Sequence, residues 1–298
     1  MSGETGVPEG IRTPDLRFRK PLLYPAELPG RTRAHYSRKG QRRSSAISLA
    51  SALLAGLGLS GPALACDGRF ARTGEPVTVN ARLEIALSDE LLLRPEGLAP
   101  FPANPQGADR MRDASIELAN YLSGKILFVH ENAGAADRWG RITAPLRTGA
   151  GQDLANWLVG LGLVRADPVK MACAPDLYAA EARARQAKLG LWADPVYSIL
   201  AANDPDALKA RAGEFVIVEG RVLRIGQTST RFYLDFGPAK GMDLSVTFDR
   251  RAAKAFSAAG LSPDQLAGRA LRVRGHLHMR PGPQIEIAGP AALEATGR

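Results

Sequence analysis

Residues 75–99 run in short apolar bursts. Val77 and Val79, then Leu83, Ile85 and Leu87, recur at period two, the spacing of a half-buried strand. Ser88-Asp89-Glu90 reads as a turn, and Pro100, Pro102 and Pro105 as a loop. From Asp109 to Leu122 the period lengthens: Met111, Ala114, Leu118 and Leu122 share one helical face, with Gly124 placed to end it. Residues 125–131 read as a strand, continued over 142–145. Two further helices follow, over 153–161 and from Pro175 to a stop at Gly190, with Trp192 as an apolar anchor. Strand patterns then cover 215–225, 231–236 and 244–248, a helix 250–259, and strands again 271–279 and 284–287. Three strands, a helix and two strands is the order of a five-stranded OB barrel.

The first 65 residues do not share this grammar. The stretch "GIRTPDLRFRKPLLYPAELPGR" (10–31) can be back-translated so that its opposite strand resembles the arms of a transfer RNA gene. Residues 1–40 are therefore expected to be disordered or not truly translated. A basic "RKGQRR" followed by "AISLASALLAGLGLSGPALAC" is the pattern of a secretory signal peptide over 41–65, with Ala63-Leu64-Ala65 as the cleavage site. A mature chain from Cys66 is then periplasmic or secreted, with no integral membrane segment after cleavage. The alternative reading of the run is an N-terminal anchor helix.

This division changes the meaning of the charge. The 298 residues carry a net charge of +9, which invites a polyanion partner. Residues 1–43 hold +6 of it, leaving only +3 for the rest. Two cysteines, Cys66 and Cys173, suit one disulfide in an oxidising compartment. Lipidation of Cys66 or two free thiols are the alternatives.

Three pieces in order, "DRWGR" (137–141), "LANWLVGLGLVRA" (154–166) and "AAEARARQAKLGLW" (179–192), resemble the motifs of the staphylococcal-nuclease-like (thermonuclease) family. The resemblance covers residues 75–192. Residues 213–294, through "FVIVEGRVL", "FYLDFG", "LRVRGHL" and "GPQIEIAGP", resemble the extra C-terminal domain of some secreted bacterial members. The fold implied is mainly β with helices (α+β), built as two OB-type barrels. The first, a thermonuclease-like domain with three helices, is expected over 66–200, and an OB-like accessory domain over 210–295.

The family's chemistry is calcium-dependent phosphodiester cleavage. It needs carboxylates for the cation, a general-base carboxylate and two arginines for the phosphorane-like charge. The resemblance places the arginines at Arg94 and Arg141. It finds no carboxylates: "VNARLEI" stands where the family has "DGDT", and "GLAPF" where it has "GIDAPE", so Phe101 occupies the general-base position. Glu84, Asp89 and Glu96 lie nearby, outside the motif positions, and read as solvated turn and strand-edge charges. Activity is expected to be weak or lost, with no cofactor required.

Elsewhere, Arg272, Arg274 and His276 share one parity of "ALRVRGHLHMR", giving a strand with a basic face. With Tyr233 as a stacking residue, that face is a candidate for single-stranded nucleic acid or another polyanion; the plain alternative is an ordinary solvent face. The leading expectation is thus a degenerate nuclease that binds a polyanion. Two alternatives stand beside it: an active calcium-dependent nuclease, and a structural envelope interaction protein.

Overall fold

A computed structural model describes residues 68–87, 91–238 and 242–297. The expectations for residues 1–40, the signal at 41–65, Cys66 and the turn at 88–90 all lie outside the described residues. The fold is mixed α+β with two OB-type barrels, as expected.

The first barrel contains β1 (Phe70–Gly74), β2 (Pro76–Val79), β3 (Ile85–Leu87), β4 (Leu92–Pro95), α1 (Pro105–Leu122), β5 (Leu127–His130), β6 (Arg141–Ala144) and β7 (Leu146–Thr148). Its sheets run β2-β3-β4-β6 and β1-β5-β7, with β4 and β6 parallel. β1 and β2 are halves of one bent strand, as are β6 and β7. Joined at those bends, the strands close in the order first–second–third–fifth–fourth–first, which is the OB order. Pro76 and Pro145 sit at the two bends. A proline has no N–H to donate to the ladder, so each bend falls where one donor is missing, although the Pro145 carbonyl still accepts from the His130 N–H at 3.1 Å.

α1 begins four residues before the helical period predicts. Pro105, read from sequence as a loop residue, is the first helical residue, and Asn104 caps the helix by accepting from the Gly107 N–H at 2.7 Å. Its Ala114, Leu118 and Leu122 join Ile85, Leu93, Leu127 and Leu146 in the barrel core. α2 (Leu154–Gly160) and α3 (Ala174–Gln186) pack beside the barrel. Gly162 and Gly190 explain two of the small-residue positions there. Leu191 donates its N–H to the Gly162 carbonyl at 2.8 Å. Gly162 has φ +69°, and a Cβ on it would lie 2.2 Å from the Leu189 carbonyl oxygen.

The second barrel follows β8 (Leu200–Ala201) and α4 (Pro205–Ala210). It comprises β9 (Phe215–Arg221), β10 (Arg224–Gln227), β11 (Arg231–Asp235), β12 (Ser245–Asp249), α5 (Ala253–Ala258), β13 (Ala270–Met279), β14 (Pro283–Glu286) and β15 (Leu293–Ala295). The order β10-β11-β12-β14-β13-β9, with β12 and β14 parallel, closes because β9 and β10 are halves of one strand. Both barrels therefore share one strand order. The core is Val216, Val218, Phe232, Leu234, Val246, Phe248, Phe256, Val273, Leu277 and their neighbours.

The barrels also share core. Ala99, Ala184 and Trp192 of the first pack with Phe215 and Ile217 of the second. Among the described residues, no helix is long and apolar enough to cross a membrane.

Candidate functional site

The loop "DRWGR" owes its shape to one carboxylate. Asp137 accepts the N–H of Trp139 at 2.9 Å and of Arg141 at 3.1 Å, and its other oxygen takes the Arg141 Nε–H at 2.9 Å. Gly140 turns the chain with φ +75°. The hydrogen bond from the Arg141 side chain is the main reason the Asp137 carboxyl is lowered to about 2. Trp139, 57% exposed, has the guanidinium groups of Arg138 and Arg141 over its ring, at 3.8 and 4.5 Å from the centroid.

Across from this loop is the β2–β3 turn. Asn80 Oδ1 accepts the N–H groups of Arg82 and Glu84, and Leu83 takes φ +60°. The turn drives Glu84 inward, where it is 6% exposed. Glu84 Oε1 accepts from Arg141 Nη1 at 2.9 Å, and Oε2 accepts from Asn80 Nδ2 at 2.7 Å. Burial pushes the Glu84 carboxyl up, but the hydrogen bonds from Asn80 and Arg141 together prevail, and its pKa ends below the ordinary value. The expectation that Glu84 is a solvated charge is therefore corrected. Its partner, Arg141, is 57 residues away in sequence, which no local pattern discloses.

Arg94 and Arg141 do converge. Together with Arg82 and Glu84 they line an open pocket of about 560 Å³. Leu98, Ala99, Pro100 and Phe101 form an apolar wall, and the start of α1 (Asn104, Pro105, Ala108) forms another side. The first turn of α1 has no acidic residue, so the positive end of its dipole is not offset there. The pocket thus holds three arginines against one carboxylate.

The arginines are not equivalent. Arg141 is committed to Glu84 and to Asp137, at 2.9 and 2.8 Å. It ties the loop to the β2–β3 turn. Arg94, half-buried on β4, and Arg82, exposed on the turn, have no ion pair among the described residues. They are the pocket's available cations.

Calcium, which the resemblance implies, does not fit these residues. It would need several free oxygens. The pocket offers one carboxylate, and both its oxygens are taken. Phe101 brings a ring where the resemblance calls for a base. Among the described residues, no group of three or more His, Cys, Asp or Glu side chains could hold a metal ion.

The basic strand face expected on β13 is not an open surface. Arg274 is 1% exposed and points at the first barrel, where Nη1 donates to Glu181 Oε2 at 2.8 Å and to the Ala166 carbonyl at 2.9 Å. Arg272 is held between Glu219 and Glu294 at 2.7 and 2.8 Å. His276 is exposed, with its ring edge-on to Phe215 at 5.8 Å. The arginines do share one face of the strand, but α3, β9 and β15 supply the carboxylates that neutralise it. Tyr233 lies elsewhere, in a pocket that none of Arg272, Arg274 and His276 lines.

Cys173 sits just before α3 and is not a free thiol. Its expected partner, Cys66, is outside the described residues.

Residues 103–194 match the family described as Staphylococcal nuclease homologue. The matched stretch runs from the loop before α1 to just past Trp192. It includes Arg141 and Glu181, and leaves out Arg82, Glu84, Arg94 and the wall at 98–101. No curated protein matches the chain.

Proposed function

We propose that this is a secreted, periplasmic protein with a staphylococcal-nuclease-like barrel that binds nucleic acid or another polyanion and has lost efficient cleavage. The observation that carries this reading is the pocket of Arg82, Arg94 and Arg141, whose single carboxylate, Glu84, has both oxygens occupied. Arginine forks and a helix start are the groups that receive phosphate oxygens. Exposed Trp139 beside them offers a face on which a base can stack. The family match supports a nuclease-like, nucleic-acid-binding role.

The missing parts weigh heavily. General-base catalysis contributes about 10²–10⁴-fold, and a metal several kcal/mol more. Binding survives without either; turnover does not. The signal-like stretch at 41–65 and the state of Cys173 support export and a Cys66–Cys173 disulfide.

The test is fluorescence anisotropy of labelled oligo-dT with the purified chain, alongside a digestion assay with calcium and with chelator. We expect binding that weakens with salt, falls about tenfold in Arg94→Ala, and is accompanied by no calcium-dependent digestion. Digestion that requires calcium and disappears in Arg141→Ala would instead establish an active nuclease. Absence of binding at low salt would favour a structural envelope role.

A further inference from the structure

The second barrel has a pocket of its own, also about 560 Å³, whose chemistry differs from that of the first. It is built on β10, β11, β12 and β14, with the β13–β14 turn as one rim. Tyr233 lies on its floor, since Phe232, Leu234 and Phe236 take the inward parity and are buried. Gly226 stands directly across from Tyr233 on β10, so that strand puts no side chain beside the ring. The Tyr233 ring stacks on no other ring, and its hydroxyl has no partner, among the described residues.

Among the described residues around the ring the charges balance: Arg224 and Arg280 against Asp235 and Asp243. Asp235 is fixed in place. It takes two hydrogen bonds from Arg224, at 2.8 and 3.1 Å, and one from Ser245 Oγ at 2.9 Å. Gln227, Thr228, Ser245 and Gln284 add neutral hydrogen-bonding groups, and Leu244, Pro281 and Pro283 add apolar surface. A side-chain amide presents a donor and an acceptor together, which matches a pair of neighbouring hydroxyls.

A polyanion site needs an excess of cations, which the first pocket has and this one lacks among the described residues. A half-buried aromatic ring lining an open pocket, with amides and a pre-set carboxylate around it, suits a ligand that is uncharged, hydroxyl-rich and apolar on one face. We infer that the second barrel binds a neutral oligosaccharide across Tyr233, on the strand face and turn that OB barrels use for chain-like ligands. This site is separate from the arginine pocket and does not depend on the reading of that pocket.

Isothermal titration of the purified full chain tests it. The probes are hexa-N-acetylchitohexaose, cellohexaose and maltohexaose, with a twelve-nucleotide oligo-dT in parallel. At least one hexasaccharide should bind, with an affinity unchanged between about 50 and about 500 mM salt. Tyr233→Ala should weaken it about tenfold or more, and Gln284→Ala by a smaller factor, while Tyr233→Phe retains most of it. Arg94→Ala, in the other pocket, should leave sugar binding intact, which separates the two sites. The inference is overturned if none of the three sugars binds. It is equally overturned if sugar binding survives both Tyr233→Ala and Gln284→Ala. Salt-sensitive oligo-dT binding that is lost in Tyr233→Ala would replace it with a nucleic-acid site.

Discussion

Arg274→Ala isolates the strongest electrostatic link between the two barrels. The Arg274 side chain is 0% exposed, and Glu181, 2.8 Å away, is 1% exposed. The guanidinium also donates to the Ala166 carbonyl, reaches Glu294 at 3.3 Å, and lies 4.4 Å over the Tyr178 ring. Truncation leaves Glu181 buried with one donor, the Ala166 N–H at 2.8 Å. A buried pair contributes little net stability compared with a well-packed apolar replacement, but removing one partner costs about 3–5 kcal/mol. The expected loss is therefore in that range. It should appear as a lower urea midpoint with an unchanged slope, followed by far-UV circular dichroism. Arg272→Ala is the contrast: its partners Glu219 and Glu294 are 43% and 23% exposed and keep contact with water when it is truncated, so the loss should be smaller, about 1–2 kcal/mol. Arg274→Met combined with Glu181→Gln should recover part of the stability lost in Arg274→Met alone, because the stranded charge is gone. A loss under about 1 kcal/mol for Arg274→Ala, or a double variant no better than the single, would refute the reasoning.

Three further outcomes follow from the site and its surroundings. Glu84→Gln removes the charge facing Arg141 Nη1; it should lower stability by about 1–3 kcal/mol yet strengthen oligo-dT binding several-fold, and a parallel loss of binding would contradict the pocket's assignment. The Asp137 carboxyl is lowered from its unfolded value, so its contribution is fully present above the usual carboxylate range and fades as pH falls toward about 2. The Trp139 emission, taken as the difference from Trp139→Phe, should accordingly hold from neutral pH to about 4 and change below it; a transition centred near neutrality would exclude this origin. If Cys66 and Cys173 are joined, reduction should lower unfolding stability by about 2–4 kcal/mol, and Cys66→Ser should abolish the response to reductant.

Much of the fold is legible because it is local. Alternation marks the central strands of both barrels, and Asp137 to Arg141 is a complete turn within five residues, so its motif can be recognised in isolation. β1 escapes because "FARTG" is half exposed and has no clean apolar alternation. α4 escapes because it is six residues long and buries a single leucine, Leu208. The site is legible only in part. Arg141 stands out by its motif, but its tie to Glu84 spans 57 residues, and Arg274 meets Glu181 across 93. Parity gives the face of a strand on which an arginine lies. What covers that face is a property of the closed fold.

The short segment at 165–167 has a consequence for how substitutions should be interpreted. On one edge it hydrogen-bonds to residues 97–99: Ala99 donates to the Arg165 carbonyl at 2.9 Å, and Asp167 to the Gly97 carbonyl at 2.8 Å. On the other edge, Ala166 is gripped by Glu181 through its N–H and by Arg274 through its carbonyl. Leu98 and Ala99 are wall residues of the arginine pocket. The second barrel thus acts as a buttress whose thrust reaches the wall of the site by two routes, through the Ala166 backbone and through Ala99, which packs on Phe215 and Ile217. A genetic screen for loss of that site should return substitutions in β13 as well as in the pocket, and a chain ending before Phe215 would keep every pocket residue while losing the brace that holds them in place.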